Sequence, residues 1–359
     1  MTATATAIRP ASPVFHGVEE SDNKRWYLIG DDRLISTTTV TGMADKPALM
    51  MWAINQTVAA VWQELPAVVA ASRTADCGNA GSRCMEYDGH DFDTCTTCPC
   101  LNCRTCMSKW LARQHKATAD RRSDEGTRVH DVAEWWTYTG EIKPHDADIA
   151  PYVKAFRQFI ADYGLTPDSF IVAEALVVNR EHGYAGTTDG IVVINAAATD
   201  KAAKLVARVT GVPAKKAAKL GLSVAVIIDW KTRENTGPLF HPPQALQLAA
   251  YRHAPVLRIK GSDHEEPMLH TDAAMLIQLR PDGYTARLTV STEDTFRRGF
   301  LNLLGFAYWL VEDGPASVSS HSFVLPETLA ARARKAAKEQ AAAADTAADG
   351  SVPAHVTAA

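Results

Sequence analysis

The sequence predicts an α/β fold in which a mixed central sheet is flanked by helices, and three observations carry that expectation. Between residues 170 and 232 the pattern switches to alternation and short apolar runs, FIVAEALVVN, TTDGIVVIN and SVAVIIDWKT, each of strand length. Two further strand patterns, AAMLIQLRP and YTARLTVS, follow an intervening helical stretch, QALQLAAYRHA. Helical patterns stand on both sides, so the order runs helices, sheet, helix, sheet, helix.

Size and composition bound what such a fold does. With 359 residues, 46% of them hydrophobic, the chain buries a substantial core in one large or two modest domains. A formal net charge of −4 means that any role with nucleic acid must rest on a local basic surface. The N-terminal MTATATAIRPASPVFHG lacks a charged start followed by an apolar core, and no run approaches the roughly 18 apolar residues of a membrane span. The expected location is the cytoplasm, with no membrane partner.

Along the chain, residues 1 to 24 read as a flexible leader, followed by a short strand around Arg25 to Ile29 and a polar stretch, Ser36 to Thr41, with no evident chemistry. From Pro47, the apolar residues Leu49, Trp52, Val58, Val61 and Trp62 recur at helical spacing, so residues 1–72 are expected to be an N-terminal helical region. All seven cysteines, Cys77, Cys84, Cys95, Cys98, Cys100, Cys103 and Cys106, crowd into a Cys-rich insertion over 73–107 that includes three CxxC pairs. Thiolates at that spacing converge on a tetrahedral ion, with zinc the first choice. Seven exceed one such site, so either His90 or His115 completes a second or some are spectators.

From Ser108 the chain reads as one or two helices broken near Gly126, carrying Lys109, Arg113, Lys116, Arg121, Arg122 and Arg128. Another helix is expected from about 148 to 163. Residues 195–222 form an Ala/Lys-rich insert between two strands, with Lys201, Lys204, Arg208, Lys215, Lys216 and Lys219 on either a solvated helix or a DNA-contacting one. A helix spans about 293 to 312, and 327–359 is a low-complexity tail outside the fold.

The chemistry concentrates at the end of the third strand. Asp229 and Lys231 are two apart, so a strand projects both from one face. They follow the apolar run Val224 to Ile228, which marks a buried strand delivering polar groups at its end. Two readings stand: an ion pair at a strand end, or half of a catalytic centre. A hairpin brings Asp189 of TTDGIVVIN beside Asp229, and two adjacent carboxylates require a cation between them. Hard oxygen ligands favour Mg²⁺ or Mn²⁺, ions that act on phosphates. His130 in EGTRVHDVAEWW is a further candidate ligand, Glu174 an acidic group among apolar neighbours, and Gln247 and Tyr251 share a helix face.

The series G-T-R-V-H, a strand with Glu174, G-T-T-D, I-I-D-W-K and Q-L-A-A-Y resembles the RecB-like exonuclease branch of the PD-(D/E)xK superfamily over about residues 126 to 255. STTTVTGMADKPALMMWAINQ additionally resembles the N-terminal part of phage-encoded members, which implies a prokaryotic or phage-infected host cell. The resemblance implies a restriction-endonuclease-like core, here over 108–326, hydrolysing DNA phosphodiesters at free ends in recombination, repair or replication, with a possible helicase or recombination partner. By position, it implies that His130, Asp189, Asp229 and the Trp230 carbonyl hold the divalent metal, while Lys231 orients or deprotonates the attacking water. Glu174 matches an acidic strand position, Gln247 and Tyr251 contact DNA or support the site, and Arg121, Arg122 and Arg128 are candidate DNA contacts. Members of the branch often carry a four-iron cluster, so a 4Fe-4S cluster is the alternative to zinc. Here all cysteines precede His130, unlike the usual arrangement of one before the core and three after it. The opposing readings are a structure-specific endonuclease, or a non-catalytic binding module with a vestigial nuclease centre.

Overall fold

A computed structural model of the chain describes residues 17–21, 24–44, 47–73, 104–234, 240–259, 264–289 and 293–312. Those up to Gly305 belong to one compact unit and Phe306–Glu312 to a second. Among the described residues the architecture is α/β, a mixed, open ten-stranded sheet flanked by helices.

The chain begins with an antiparallel meander of β1 (Gly17–Ser21), β2 (Lys24–Ile29) and β3 (Asp32–Ser36). Helix α1 (Thr37–Gly42) follows at once, its N-terminus capped by Ser36 Oγ, which accepts the Thr39 N–H at 3.0 Å. Two helices come next, α2 (Pro47–Gln63) and α3 (Leu65–Ser72). The expected short strand around Arg25 to Ile29 is β2, while β1 and β3 correct the expected leader over Gly17–Ser21 and the helical reading of 1–72; residues 1–16 of the leader lie outside the described residues. β3 runs parallel to the later strand β5 (Tyr184–Asn195) and carries the meander into the main sheet. β1 and β3, five residues each and bearing charged side chains, offer too few apolar positions to display a period.

Helix α4 (Arg104–Thr139) is continuous over 36 residues, which corrects the expected break near Gly126 and places Cys106 on a helix rather than in a loop. An interior glycine costs a helix only about 1 kcal/mol relative to alanine. The stripe Val129, Val132, Ala133 and Trp136, buried in the core, supplies compensating packing. Gly126 itself permits close approach to the sheet, since a Cβ there would lie 3.1 Å from Thr232 Oγ1. Helix α5 (Ala150–Tyr163) adds Phe156 and Phe159, both edge-on to Trp230 with centroids 5.4 and 5.3 Å away.

The sheet forks at β5. One edge pairs with β4 (Phe170–Asn179) along its length. The other edge meets β3 at Tyr184 and Ala185, then β6 (Ser223–Thr232) from Gly190 to Asn195. Among the described residues no strand pairing is formed on that edge between those two stretches. β6 runs on beside the parallel β9 (Ala273–Arg280), which pairs with β10 (Gly283–Thr289). On the far side β4 pairs with β7 (Val256–Arg258), and β7 with β8 (Glu265–Pro267). Helix α8 (Pro242–Arg252) lies between β6 and β7 in sequence, and a π-helical turn (Thr295–Phe300) leads into α9 (Leu301–Glu312).

The Ala/Lys-rich insert forms α6 (Asp200–Thr210) and α7 (Ala214–Leu220) and leaves the β5–β6 ladder intact from Gly190–Ile228 to Asn195–Ser223. Ala202, Ala203, Leu205 and Val206 are buried in the core, while all six expected basic residues of the insert are exposed. Among the described residues no helix is long and apolar enough to cross a membrane.

Candidate active site

Strand alternation decides which side chains meet. On β6, Val224, Val226, Ile228 and Trp230 enter the core, so Asp229 and Lys231 face the other side. Gly190 pairs with Ile228, which places Asp189 on the same face as Asp229. β4 reaches that face through a register shift between Phe170 and Val172. Without it Glu174 would share the core-facing side of Phe170; the extra residue moves it to the face of Asp189. Glu174 also has φ +49°, the one positive value among described non-glycine residues, at a cost of about 1–2 kcal/mol. Across the cleft, Ser123, Thr127, His130 and Glu134 recur at helical spacing on α4.

These groups line a cleft of about 740 Å³. His130 Nδ1 is 3.4 Å from Asp189 Oδ1 and 3.8 Å from Glu174 Oε1, and ligand atoms of the three lie within 4.8 Å of one another. The second Asp189 oxygen accepts the Trp230 backbone N–H at 2.5 Å. Asp229 Oδ2 contacts Lys231 Nζ at 2.6 Å, and its Oδ1 accepts from Gln247 Nε2 at 3.1 Å. Gln247 Nε2 also donates to Tyr251 Oη at 2.8 Å, using the second hydrogen of its amide. Tyr251 reaches this position because residue 186 is glycine: a Cβ there would stand 2.5 Å from Tyr251 Cε1.

Burial and charge set the proton affinities. Burial pushes the Asp229 carboxyl up to about 6 despite the adjacent Lys231 ammonium, with Asp189 adding to the rise. Burial likewise raises Glu174. Asp189 stays below the usual carboxylate range: burial alone would lift it, but His130, Lys231 and the Trp230 N–H outweigh that. Burial acts against protonation of His130, yet Asp189 and Glu174 overcome it and push the imidazole up to about 10. For Lys231 burial is again overcome, by Asp229 and Asp189, and its affinity rises. The buried Asp189 and Asp229 and the partly buried Glu174 thus gather whatever positive charge is available.

That donor set fits a divalent cation. Asp229 Oδ2 is buried with the Lys231 ammonium beside it at 2.6 Å. One imidazole and carboxylate oxygens are ligands suited to such an ion. The ligand grouping differs from the expected His130, Asp189 and Asp229: Glu174 joins His130 and Asp189, while Asp229 is tied to Lys231 and Gln247. The register shift and the left-handed backbone at Glu174 cause this, and neither is visible in sequence.

Among the basic candidates only Arg122 lines the cleft, paired with Glu234. Arg121 is exposed and 3.8 Å from Glu125. Arg128 is a correction: Asp148 grips it at 2.6 Å, with Asp124 at 2.8 Å and Asp146 at 3.1 Å, so its charge is consumed in joining α4 to the following loop. Gln247 and Tyr251 are buried, which makes them supports of Asp229 rather than surface contacts. Sequence reading missed Arg25, Tyr27 and Thr38, which line the cleft from the N-terminal segment. It also missed Glu134, whose one signal was its place four residues after His130. Cys77, Cys84, Cys95, Cys98, Cys100 and Cys103 lie outside the described residues, and Cys106 is buried. No family model matches the chain, and no curated protein matches it.

Proposed function

We propose that the chain is a divalent-metal-dependent DNA nuclease with a restriction-endonuclease-like core, similar to RecB-like exonucleases and acting at DNA ends in recombination, repair or replication. The observation that carries this reading is the convergence of His130, Glu174, Asp189, Asp229 and Lys231, from one helix and three strands, in a single cleft. An incidental ion pair at a strand end requires only Asp229 and Lys231. It does not account for a strained Glu174 or for an imidazole set between two further carboxylates.

His130, Glu174 and Asp189 would hold Mg²⁺ or Mn²⁺, with Asp229 adjoining. Such an ion supplies stabilisation of charge on the phosphate and a more acidic bound water. Lys231, its ammonium set between Asp229 and the cleft, would orient or help deprotonate the attacking water and stabilise charge on the phosphorane-like transition state. Gln247 fixes the Asp229 carboxylate, and Tyr251 fixes Gln247.

The test is degradation of end-labelled single- and double-stranded DNA by the purified protein with Mn²⁺ or Mg²⁺. Asp229→Asn and Lys231→Ala are expected to lower the rate by about 10²-fold or more each. Absence of cleavage on every substrate, or cleavage that survives both substitutions, defeats the reading. Covalently closed circular DNA separates the two nuclease classes, because an exonuclease leaves it intact.

A further inference from the structure

A second groove, of about 500 Å³, opens on the core-facing side of the sheet, where Met275 of β9 joins the cluster that contains Trp230. Asp229 and Lys231 point to the opposite side. Its walls are α6, the end of α5 and β10, and its cations are Lys201, Lys204 and Arg208 of α6, with no carboxylate in the lining. Lys201 serves the fold, bonded to Asp162 and Tyr284 at 2.7 and 2.8 Å. Lys204 and Arg208 form no ion pair among the described residues, and both are exposed. They are four apart, on one face of α6. Arg287 of β10 takes no part: it pairs with Leu276, the partner of Asp229, so its side chain lies on the reaction-cleft face, over the Phe240 ring.

The charge is segregated on a larger scale as well. Residues 196–222 contain six basic side chains against the single acid Asp200, a net +5 in a chain whose total is −4. Val206 is buried on the opposite side of α6 and Leu205 at the base of the groove, so the charged face is fixed in place by packing.

We infer that this groove is a second DNA-binding surface, holding the phosphodiester backbone of a strand on the face of the sheet away from the reaction cleft. Its choice of DNA among polyanions rests on the nuclease reading. The electropositive character does not.

The experiment measures binding of a fluorescein-labelled 30-nucleotide DNA by anisotropy, without divalent metal, across a range of salt. The Lys204→Ala, Arg208→Ala double variant is expected to bind at least about 10-fold more weakly at low salt. Its slope of log K against log salt should fall by about 1.4, since each single-strand phosphate contact contributes about 0.7. The charge-retaining variant Lys204→Arg, Arg208→Lys should restore both quantities, and an unchanged thermal midpoint identifies a folded variant. Wild-type affinity and slope in the alanine variant overturn the inference. An equal loss of binding to poly-glutamate overturns the assignment to DNA in favour of an acidic protein. Because no metal is present, failure of the wild type to cleave DNA in the separate nuclease assay leaves this measurement intact.

Discussion

At the scale of single residues, Glu174 is where local preference and placement conflict most sharply. A left-handed backbone in mid-strand is disfavoured for a residue with a Cβ, and such strain concentrates at functional positions. Glycine adopts φ +49° without that penalty. Glu174→Gly is therefore expected to be more stable than Glu174→Ala by about 0.5–1 kcal/mol in urea denaturation, the reverse of the usual order in a strand. Both variants should lose metal-dependent cleavage. An alanine variant equal to or more stable than the glycine variant would mean that the backbone at 174 carries no strain. The paired polar residues at the end of an apolar run made Asp229 and Lys231 legible in the sequence, and strand alternation correctly put both on one face. Arg128 was misread for a simple reason: its partners Asp146 and Asp148 lie 18 and 20 residues away, beyond any helical spacing.

Among elements, the insert between β5 and β6 shows what periodicity conveys and what it omits. The Ala/Lys pattern announced helices and exposed cations, and the ladder from Gly190–Ile228 to Asn195–Ser223 closes beneath them. The depth to which α6 is embedded was not legible, because short runs such as KLVAR suit a solvated helix equally well. Leu205 is a member of the main core cluster, so Leu205→Ala should cost about 2–4 kcal/mol in chemical denaturation. A cost near zero would make the insert an appendage. The insert is also tied to α5 by Asp162, whose carboxyl is held below its ordinary value first by Lys201 and then by Tyr284. A carboxyl with a depressed pKa stabilises the fold above its unfolded value, about 3.9, and loses that contribution as pH falls through the folded value. The stability difference between wild type and Asp162→Asn should thus be largest near pH 7 and shrink below about pH 4. Denaturation curves at pH 7, 5 and 3 check it, and a difference independent of pH would refute it.

For the whole molecule, the cleft exists because segments remote in sequence meet where the sheet forks. β3 joins β5 through the pairs Ile35–Tyr184 and Ser36–Ala185, and this brings Arg25, Tyr27 and Thr38 to a cleft otherwise built from residues 122–251. Nothing local in the sequence encodes that pairing, which is why β2 was expected as a short strand around Arg25 to Ile29 but its partners β1 and β3 were not, while the strands from 170 to 232 were placed within a few residues. The fork also concentrates like charge, since Glu174, Asp189 and Asp229 share one face with His130 and Lys231 as counter-charges. A fold that gathers three carboxylates in one cleft gains stability from any cation that binds only the native state. Raising Mn²⁺ to about 100 times its dissociation constant should add about 2.7 kcal/mol to the unfolding free energy, read from urea denaturation with and without chelator. Asp189→Asn should abolish that increment, because it removes a charge from the centre of the ligand group. Lys204→Ala with Arg208→Ala, on the opposite face of the sheet, should preserve it. Equal metal-linked stabilisation of wild type and Asp189→Asn would locate the ion elsewhere and leave the cleft with its ion pairs alone.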